Sequence, residues 1–303
     1  MSTALKRTIE HNPRPVPQEA FDWYDEYAHG LIDRRTFMAR LAGLTALGFS
    51  MSTLLETLLP NYVAAEQISF NDPDIKATLA PFDSPNGHGR CQGYLVKPTQ
   101  VEGRVPAVLV VHENRGLNPY IKDVARRLAK AGFLAFAPDG LFPLGGYPGN
   151  DDDGRQMQGS MDRTKLEEDF VAAAHFVKGH ELSSGPLGAV GFCFGGYIVN
   201  MLAATIPEAL NAGVPYYGSP PAEALRAQIR GPLLLHFGSL DQRINATWPE
   251  YERALKANGA QYEAHVYEGV NHGFHNDSTG RYAREEAELS WQRTVNFFKT
   301  HLS

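Results

Sequence analysis

The sequence predicts an α/β fold, with a mostly parallel, doubly wound sheet flanked by helices and preceded by an N-terminal helical extension. Three observations predict it. Short apolar segments bounded by glycine and proline alternate with amphipathic segments over the last two-thirds of the chain. The hydrophobic content of 43% can fill one large core. Residues with catalytic chemistry directly follow the apolar segments, where open α/β sheets bind their ligands.

Each element of the alternation has a local signal. Apolar runs that end at turn residues predict strands, and apolar residues three and four positions apart predict helices. The predicted strands are 91–96, 106–111, 133–137, 187–192, 212–217, 232–237 and 262–267. The predicted helices are 120–131, 162–178, 197–204 and 281–301. Strand–helix repetition of this kind predicts the parallel sheet.

A glycine-rich turn between a predicted strand and a predicted helix carries a cysteine. It has the sequence GFCFGG and spans residues 191–196. A G-x-nucleophile-x-G turn in this context exposes its central residue in a strained backbone conformation. The N-terminus of the following helix favours a thiolate. The turn therefore predicts Cys193 as a nucleophile, and a small buried cysteine is the alternative interpretation.

An acid and a histidine follow two later strands. Asp241 comes just after strand 232–237, and His272 comes after strand 262–267. The chain order of nucleophile, acid and histidine is that of α/β-hydrolases. By itself Asp241 would be a turn residue or helix cap, and His272 a surface histidine. Together with the cysteine turn they predict a catalytic triad, because the carboxylate orients the imidazole and the imidazole moves protons.

The spacing of 48 residues from Cys193 to Asp241 and of 31 from Asp241 to His272 resembles that of the dienelactone hydrolase family of α/β-hydrolases, which use a Cys-Asp-His triad. The resemblance extends from about Cys91 to the C-terminus. It implies a carboxymethylenebutenolidase-like hydrolase that cleaves a lactone or small carboxylic ester through a thioester. Its substrate would be a small molecule. This chemistry needs no organic cofactor, and the histidines of the chain form no metal-binding pattern.

The same resemblance assigns roles around the segment VVHENRG at 110–116. It implies that Glu113 takes the thiol proton when substrate binds. It also implies that the backbone N–H groups of Asn114 and Phe194 hold the oxyanion. His112, beside this glutamate, is interpreted either as a pocket residue or as a core residue.

The chain departs from the family pattern at the groups that hold a substrate carboxylate. The family uses two arginines, one of them four residues beyond the catalytic histidine, where this chain has Asn276. Asparagine supplies neither the charge nor the bidentate fork of arginine. Arg155 and Arg163 are candidates for the other position. Because of this departure, a general esterase or an acyl-transfer enzyme that acts on a different acid group is an alternative function.

A long Gly-, Pro- and Asp-rich loop is predicted at 141–154. It follows a strand end, so we expect Phe142, Tyr147 and Arg155 to line the pocket. The acidic run at 151–153 is interpreted as a solvated turn rather than a metal site, because a hard cation needs six or more converging oxygens.

The first 65 residues form a separate segment ahead of a hydrolase domain at 66–303. The pair Arg34-Arg35, an apolar run at 41–55 and small residues before position 66 resemble a twin-arginine export signal cleaved after Ala65. This interpretation predicts a periplasmic protein. The apolar run is too short for a membrane span. The alternative is a retained helical extension in a cytoplasmic protein, packed on the hydrolase domain or on a second subunit of a homo-oligomer.

Composition excludes some classes of function. A net charge of −6 and a pI near 6.0 give no electrostatic footprint for nucleic acid. Two cysteines make no disulfide framework, and Cys91, on an early edge strand, is interpreted as structural. A redox-responsive thiol protein on a hydrolase scaffold is the non-enzyme alternative, since an exposed cysteine at a helix N-terminus also suits oxidation sensing.

Overall fold

The computed structural model describes residues 16–303. The chain divides into two compact units, one ending at Leu59 and the other extending from Pro60 to Ser303. The helix Tyr62–Ala65 thus belongs to the second unit, although it precedes the cleavage position predicted after Ala65. Residues 1–15 of the predicted N-terminal segment lie outside the described residues.

The first unit is helical in its described part. Its helices are α1 (Gln18–Ala28), α2 (Arg34–Thr45) and α3 (Met51–Leu58). Asp33 begins α2 by accepting a hydrogen bond from the Thr36 amide at 2.7 Å. The helices share a small apolar core in which the rings of Tyr27 and Phe37 stack at 5.0 Å between centroids.

The second unit contains the sheet and its flanking helices. Its strands are β1 (Ile75–Ser84), β2 (Gly89–Pro98), β3 (Val105–Val111), β4 (Leu134–Pro138), β5 (Ser183–Phe192), β6 (Ala212–Tyr216), β7 (Leu233–Gly238) and β8 (Tyr262–Tyr267). Its helices are α4 (Tyr62–Ala65), α5 (Pro119–Lys130), α6 (Asp151–Ser160), α7 (Arg163–Lys178), α8 (Phe194–Thr205), α9 (Glu223–Arg226), α10 (Gln242–Asn245), α11 (Trp248–Asn258) and α12 (Arg284–His301).

The strands of the described chain form one sheet in the order β1-β2-β4-β3-β5-β6-β7-β8. β1 and β2 pair antiparallel, as do β2 and β4, and the neighbours from β4 to β8 pair parallel. Apolar clusters cover both faces of the sheet, as expected for a parallel sheet flanked by helices. The predicted α/β fold is confirmed. The parallel arrangement brings the carboxyl ends of β3, β5, β6, β7 and β8 to one edge.

Two elements differ from the sequence prediction. β1 was not predicted, because it is an edge strand with most of its side chains exposed or half-buried, so it lacks a continuous apolar run. The predicted loop 141–154 instead contains a short 3-10 turn, Phe142–Leu144, and the start of α6. None of the helices in the described range is both long and apolar enough to cross a membrane.

Candidate active site

Cys193 lies in a sharp turn between β5 and α8. Its φ of 55° and ψ of −111° place a non-glycine residue in a strained region of the backbone map. Its amide donates to the carbonyl of Tyr216 at 3.1 Å. A Cβ at Gly195 would collide with the backbone carbonyls of Val111 and His112. Glycine therefore lets the first turn of α8 approach the end of β3, and the half-buried thiol lies at the sheet edge.

Asp241 and His272 form a buried, directly bonded pair. Asp241 follows β7 and caps α10, with its Oδ1 accepting from the Ile244 amide at 3.2 Å. Its Oδ2 lies 2.6 Å from His272 Nδ1, and both side chains are 3% exposed. A carboxylate held in this way fixes the tautomer with Nδ1–H, which leaves Nε2 as the acceptor of the neutral ring.

The cysteine lies beside this histidine. The sulfur of Cys193 and a ring nitrogen of His272 lie within 4.8 Å of each other. The carboxylate of Asp241, the imidazole of His272 and the thiol of Cys193 are therefore spatial neighbours in that order. They come from three chain segments that meet at the same edge of the sheet. We refer to Cys193, Asp241 and His272 as the candidate triad.

Glu113 is a buried acid next to the candidate nucleophile. It is 3% exposed, and its Oε2 accepts from Asn276 Nδ2 at 3.0 Å. Burial raises its pKa, the guanidinium of Arg115 opposes that rise, and Cys193 adds to it. Asn276 Oδ1 accepts from the amide of Ser278 at 3.1 Å, which turns the Asn276 NH₂ group toward the glutamate.

The two predicted oxyanion donors occupy neighbouring loops. Phe194 is the first residue of α8, and Asn114 follows the end of β3. β3 pairs with β5 in parallel, so the two segments end at the same edge. Amides at a helix start and in an adjacent loop are suitable donors for a developing oxyanion, and their role stays a prediction.

The acidic run at 151–153 is not a solvated turn, and that interpretation was wrong. The run forms the first turn of α6, and Asp151 is part of a half-buried hydrogen-bond network. Its Oδ2 accepts from Arg115 at 2.8 Å, and its Oδ1 accepts from the hydroxyls of Tyr62 at 2.7 Å and Tyr147 at 2.9 Å. Tyr147, predicted to bind substrate, therefore uses its hydroxyl to hold this network.

The other predicted pocket residues are Arg163, which packs against α8, and Arg155 and Phe142, which precede it in the chain. Arg163 begins α7, with its guanidinium 4.7 Å from the ring centroid of Phe194 and 4.5 Å from that of Tyr197. Arg155 is half-buried on α6, and Phe142 is half-buried in the 3-10 turn. Arg163 thus packs on the residue next to the candidate nucleophile, and its substrate role stays a prediction.

His112 is a core residue rather than a pocket residue. It is fully buried, its Nε2 accepts from the Gly140 amide at 3.1 Å, and its Nδ1 lies 2.6 Å from the Glu113 carbonyl oxygen. Burial lowers its pKa, so the ring is neutral and can donate from Nδ1. The histidine therefore braces the backbone beside the buried acid.

Sequence reasoning missed two buried residues near the site. Tyr217 follows β6 at the same edge, and Arg281 is 9% exposed. The charge of Arg281 acts on the pKa values of both Glu113 and Tyr217. The position of Tyr217 at the end of a predicted strand could have identified it. Arg281 gave no such signal, because it was assigned to the closing helix, which begins only at Arg284.

Two family models match the chain. The model of the dienelactone hydrolase family matches residues 91–302. A model described as YqhI-like matches residues 9–46, which include the arginine pair of the predicted export signal.

Individual proteins are also similar to this chain. A provisionally named hydrolase fragment of Escherichia coli (strain K12), YghX, is 61% identical over 111 residues, which are 37% of this chain and 95% of that protein. A provisionally named 2-oxo-3-(5-oxofuran-2-ylidene)propanoate lactonase of Bradyrhizobium sp. is 33% identical over 72% of this chain and 92% of its own length. A provisionally named dienelactone hydrolase from Klebsiella pneumoniae superposes with a TM-score of 0.65 at 28% identity, covering 74% of this chain and 99% of that one.

Proposed function

Because the chain belongs to the dienelactone hydrolase family, we propose that this hydrolase cleaves a lactone or small carboxylic ester through a thioester formed on Cys193. The observation that carries the proposal is the bonded pair of Asp241 and His272, 2.6 Å between Oδ2 and Nδ1, with the cysteine sulfur within 4.8 Å of the same imidazole. A strained turn that presents the nucleophile supports it.

Acylation begins when the thiol loses its proton to the buried Glu113. The raised pKa of that carboxyl makes it a competent proton acceptor from a thiol. The thiolate attacks the carbonyl carbon, a C–S bond forms, and the carbonyl electron pair moves to oxygen, where the amides of Asn114 and Phe194 would hold it. Collapse then breaks the C–O bond, and the departing oxygen takes the proton that Glu113 accepted from the thiol.

Deacylation uses the histidine. Water gives a proton to Nε2 of His272 as its oxygen attacks the thioester carbonyl. Collapse breaks the C–S bond and releases the carboxylic acid, and the sulfur takes the proton held on Nε2 of His272. Asp241 stabilises the imidazolium that forms between these steps, because its carboxylate is bonded to Nδ1 of the ring.

The substrate class follows from the thiol nucleophile and from one relative. Enol and aryl oxygens leave readily, so thiol chemistry suits enol-lactones better than alkyl esters. The similar Bradyrhizobium protein is named as a lactonase of an oxofuranylidene propanoate, which supports a lactone substrate. Asn276, however, donates to Glu113 at 3.0 Å instead of presenting a charge. That contact favours a second candidate, an esterase for uncharged substrates.

A kinetic panel tests the proposal. We would measure kcat/KM of wild type, Cys193→Ala and Cys91→Ala on p-nitrophenyl acetate, on p-nitrophenyl butyrate and on a carboxylated dienelactone. We expect turnover that Cys193→Ala abolishes and Cys91→Ala retains. Preference for the dienelactone supports the lactonase, and turnover of the neutral esters alone supports the esterase. Turnover that persists in Cys193→Ala would contradict the proposed nucleophile.

Export stays a separate proposal. The arginine pair lies in the first turn of α2, which Asp33 caps. Intact-mass spectrometry of protein purified from its native source tests it. A mature N-terminus at Glu66 would support cleavage after Ala65, whereas an intact Met1 would contradict export.

A further inference from the structure

Tyr217 shares an unusual backbone conformation with the candidate nucleophile. Within residues 16–303, Cys193 and Tyr217 are the two non-glycine residues with positive φ, at 55° and 37°. Conformations of this kind persist where surrounding structure enforces them, and they cluster at functional sites. The Tyr217 amide donates to the carbonyl of His236 at 2.8 Å, which fixes the residue at the end of β6. The strain indicates that this side chain is held in place for a purpose other than filling the core.

The hydroxyl of Tyr217 lacks a hydrogen-bond partner among the residues that the structure describes. The side chain is fully buried, and its ring centroid lies 4.8 Å from that of His272. Burial raises its pKa, and Glu113 and Cys193 raise it further. The group therefore remains a neutral O–H donor, and its electrostatic neighbours are the reacting groups of the proposed site.

The other buried tyrosines of the second unit have bonded hydroxyls. Tyr216 lies 2.8 Å from Thr294 Oγ1, and Tyr251 donates to Asn200 Oδ1 at 3.0 Å. A buried polar group without a partner is costly and needs an explanation. The Tyr217 hydroxyl lacks such a hydrogen bond within the described part of the chain. An acceptor oxygen on a bound molecule would supply it.

We propose that Tyr217 is a further catalytic residue, whose hydroxyl donates a hydrogen bond to the departing oxygen of the ester or lactone attacked by Cys193. This inference rests on the proposed function. The carbonyl oxygen is already assigned to two backbone amides, whereas the Tyr217 ring packs on His272, the residue on the leaving-group side of the triad. When the C–O bond breaks, its electron pair stays on the departing oxygen, which gains charge that the phenol stabilises while keeping its own proton.

Tyr217→Phe tests the role because it removes one oxygen and keeps the ring on His272. We would measure kcat and KM on phenyl acetate and p-nitrophenyl acetate, with Tyr251→Phe as the matched control. We expect Tyr217→Phe to lower kcat on phenyl acetate about tenfold with little change in KM. The loss should be smaller on p-nitrophenyl acetate, since its leaving group delocalises the charge.

Thermal unfolding separates catalysis from packing. Tyr217→Phe should keep or raise the unfolding temperature, because it removes an unpaired buried hydroxyl. Tyr251→Phe should lower that temperature and retain kcat. An equal loss on both esters, or a loss accompanied by a lower unfolding temperature, would assign Tyr217 a structural role and overturn the proposal.

The Cys193→Ala variant distinguishes the two levels of the inference. Turnover that depends on Cys193 and is unchanged by Tyr217→Phe overturns the role of Tyr217 and leaves the proposed function intact. Turnover that survives in Cys193→Ala overturns the proposed function and this role with it.

Discussion

Two regions of the molecule bring together a cysteine, a histidine and an aspartate, and they differ in which residue lies in the middle. In the candidate triad the imidazole lies between carboxylate and thiol. In the second region the carboxylate of Asp169, on α7, lies in the middle. Its Oδ1 accepts from the Sγ of Cys91 on β2 at 3.5 Å, and its Oδ2 lies 2.6 Å from Nδ1 of His88, just before β2. The same residue types thus form two different chemical units.

The order of contacts decides what each thiol can do. Burial and the adjacent Asp169 raise the pKa of the Cys91 thiol to about 12. At neutral pH this cysteine is therefore a protonated, inert donor, as its interpretation as a structural residue anticipated. It is also a poor resolving thiol, which weighs against the redox-sensor alternative. The Cys193 thiol, in contrast, lies beside an imidazole that can accept a proton.

The largest effect should come from exchanging the two aspartates for asparagine. Asp241→Asn should lower kcat about 10³-fold, because asparagine favours the wrong imidazole tautomer. Asp169→Asn should leave kcat unchanged and lower the free energy of unfolding by about 3 kcal/mol, since it breaks a buried pair with His88. Ester hydrolysis and urea unfolding of both variants measure this, and equal losses of kcat would contradict the distinction.

Alkylation should distinguish the two thiols directly. With iodoacetamide at neutral pH, Cys193 should react at least about 10²-fold faster than Cys91, since only the thiolate reacts and Cys91 is protonated and buried. Peptide mass spectrometry over time gives both rates within one sample. Comparable rates would show that the carboxylate does not suppress the Cys91 thiolate.

Two glycines allow the close packing at the two regions. An alanine Cβ at Gly195 would collide with the carbonyl of Val111, and one at Gly87 would collide with the side chains of Asp169 and Ser84. Gly195→Ala should lower kcat/KM about tenfold or more by displacing the nucleophile. Gly87→Ala should lower the unfolding temperature and retain kcat/KM. Kinetics and thermal unfolding of the pair test this, and reversed phenotypes would contradict it.

The smallest effect concerns alkaline stability. The folded-state pKa of Cys91 lies above its ordinary value near 9.0, so the unfolded chain loses this proton first. Wild type should therefore lose free energy of unfolding relative to Cys91→Ala as pH rises above 9, by about 1 kcal/mol at about pH 10. Urea unfolding at several pH values measures the difference, and a constant difference would contradict the raised pKa.

The sequence predicted most of the sheet and the residues gathered at its edge. Strand 262–267 was predicted with the bounds that the structure has, and Cys193, Asp241 and His272 were found because each follows a predicted strand or its turn. Chain order and strand ends are local signals. They suffice because a parallel sheet aligns its carboxyl ends automatically.

What the sequence did not predict depends on contacts between distant residues. Asp151 bonds to Tyr62, which lies 89 positions away, whereas the composition of the acidic run alone indicated a solvated turn. Asn276 is committed to Glu113 across 163 positions. The positive φ of Tyr217 is likewise imposed by packing and has no glycine to signal it. Local patterns cannot encode such tertiary contacts.

Trapping the acyl-enzyme tests the central claim most directly. We would incubate His272→Ala, which should acylate but deacylate slowly, with p-nitrophenyl acetate and map the adduct by peptide mass spectrometry. The proposed mechanism predicts a hydroxylamine-sensitive acetyl group on Cys193 and none on Cys91. An acetyl group on another residue, or hydrolysis by wild type with no adduct in His272→Ala, would contradict a thioester on Cys193.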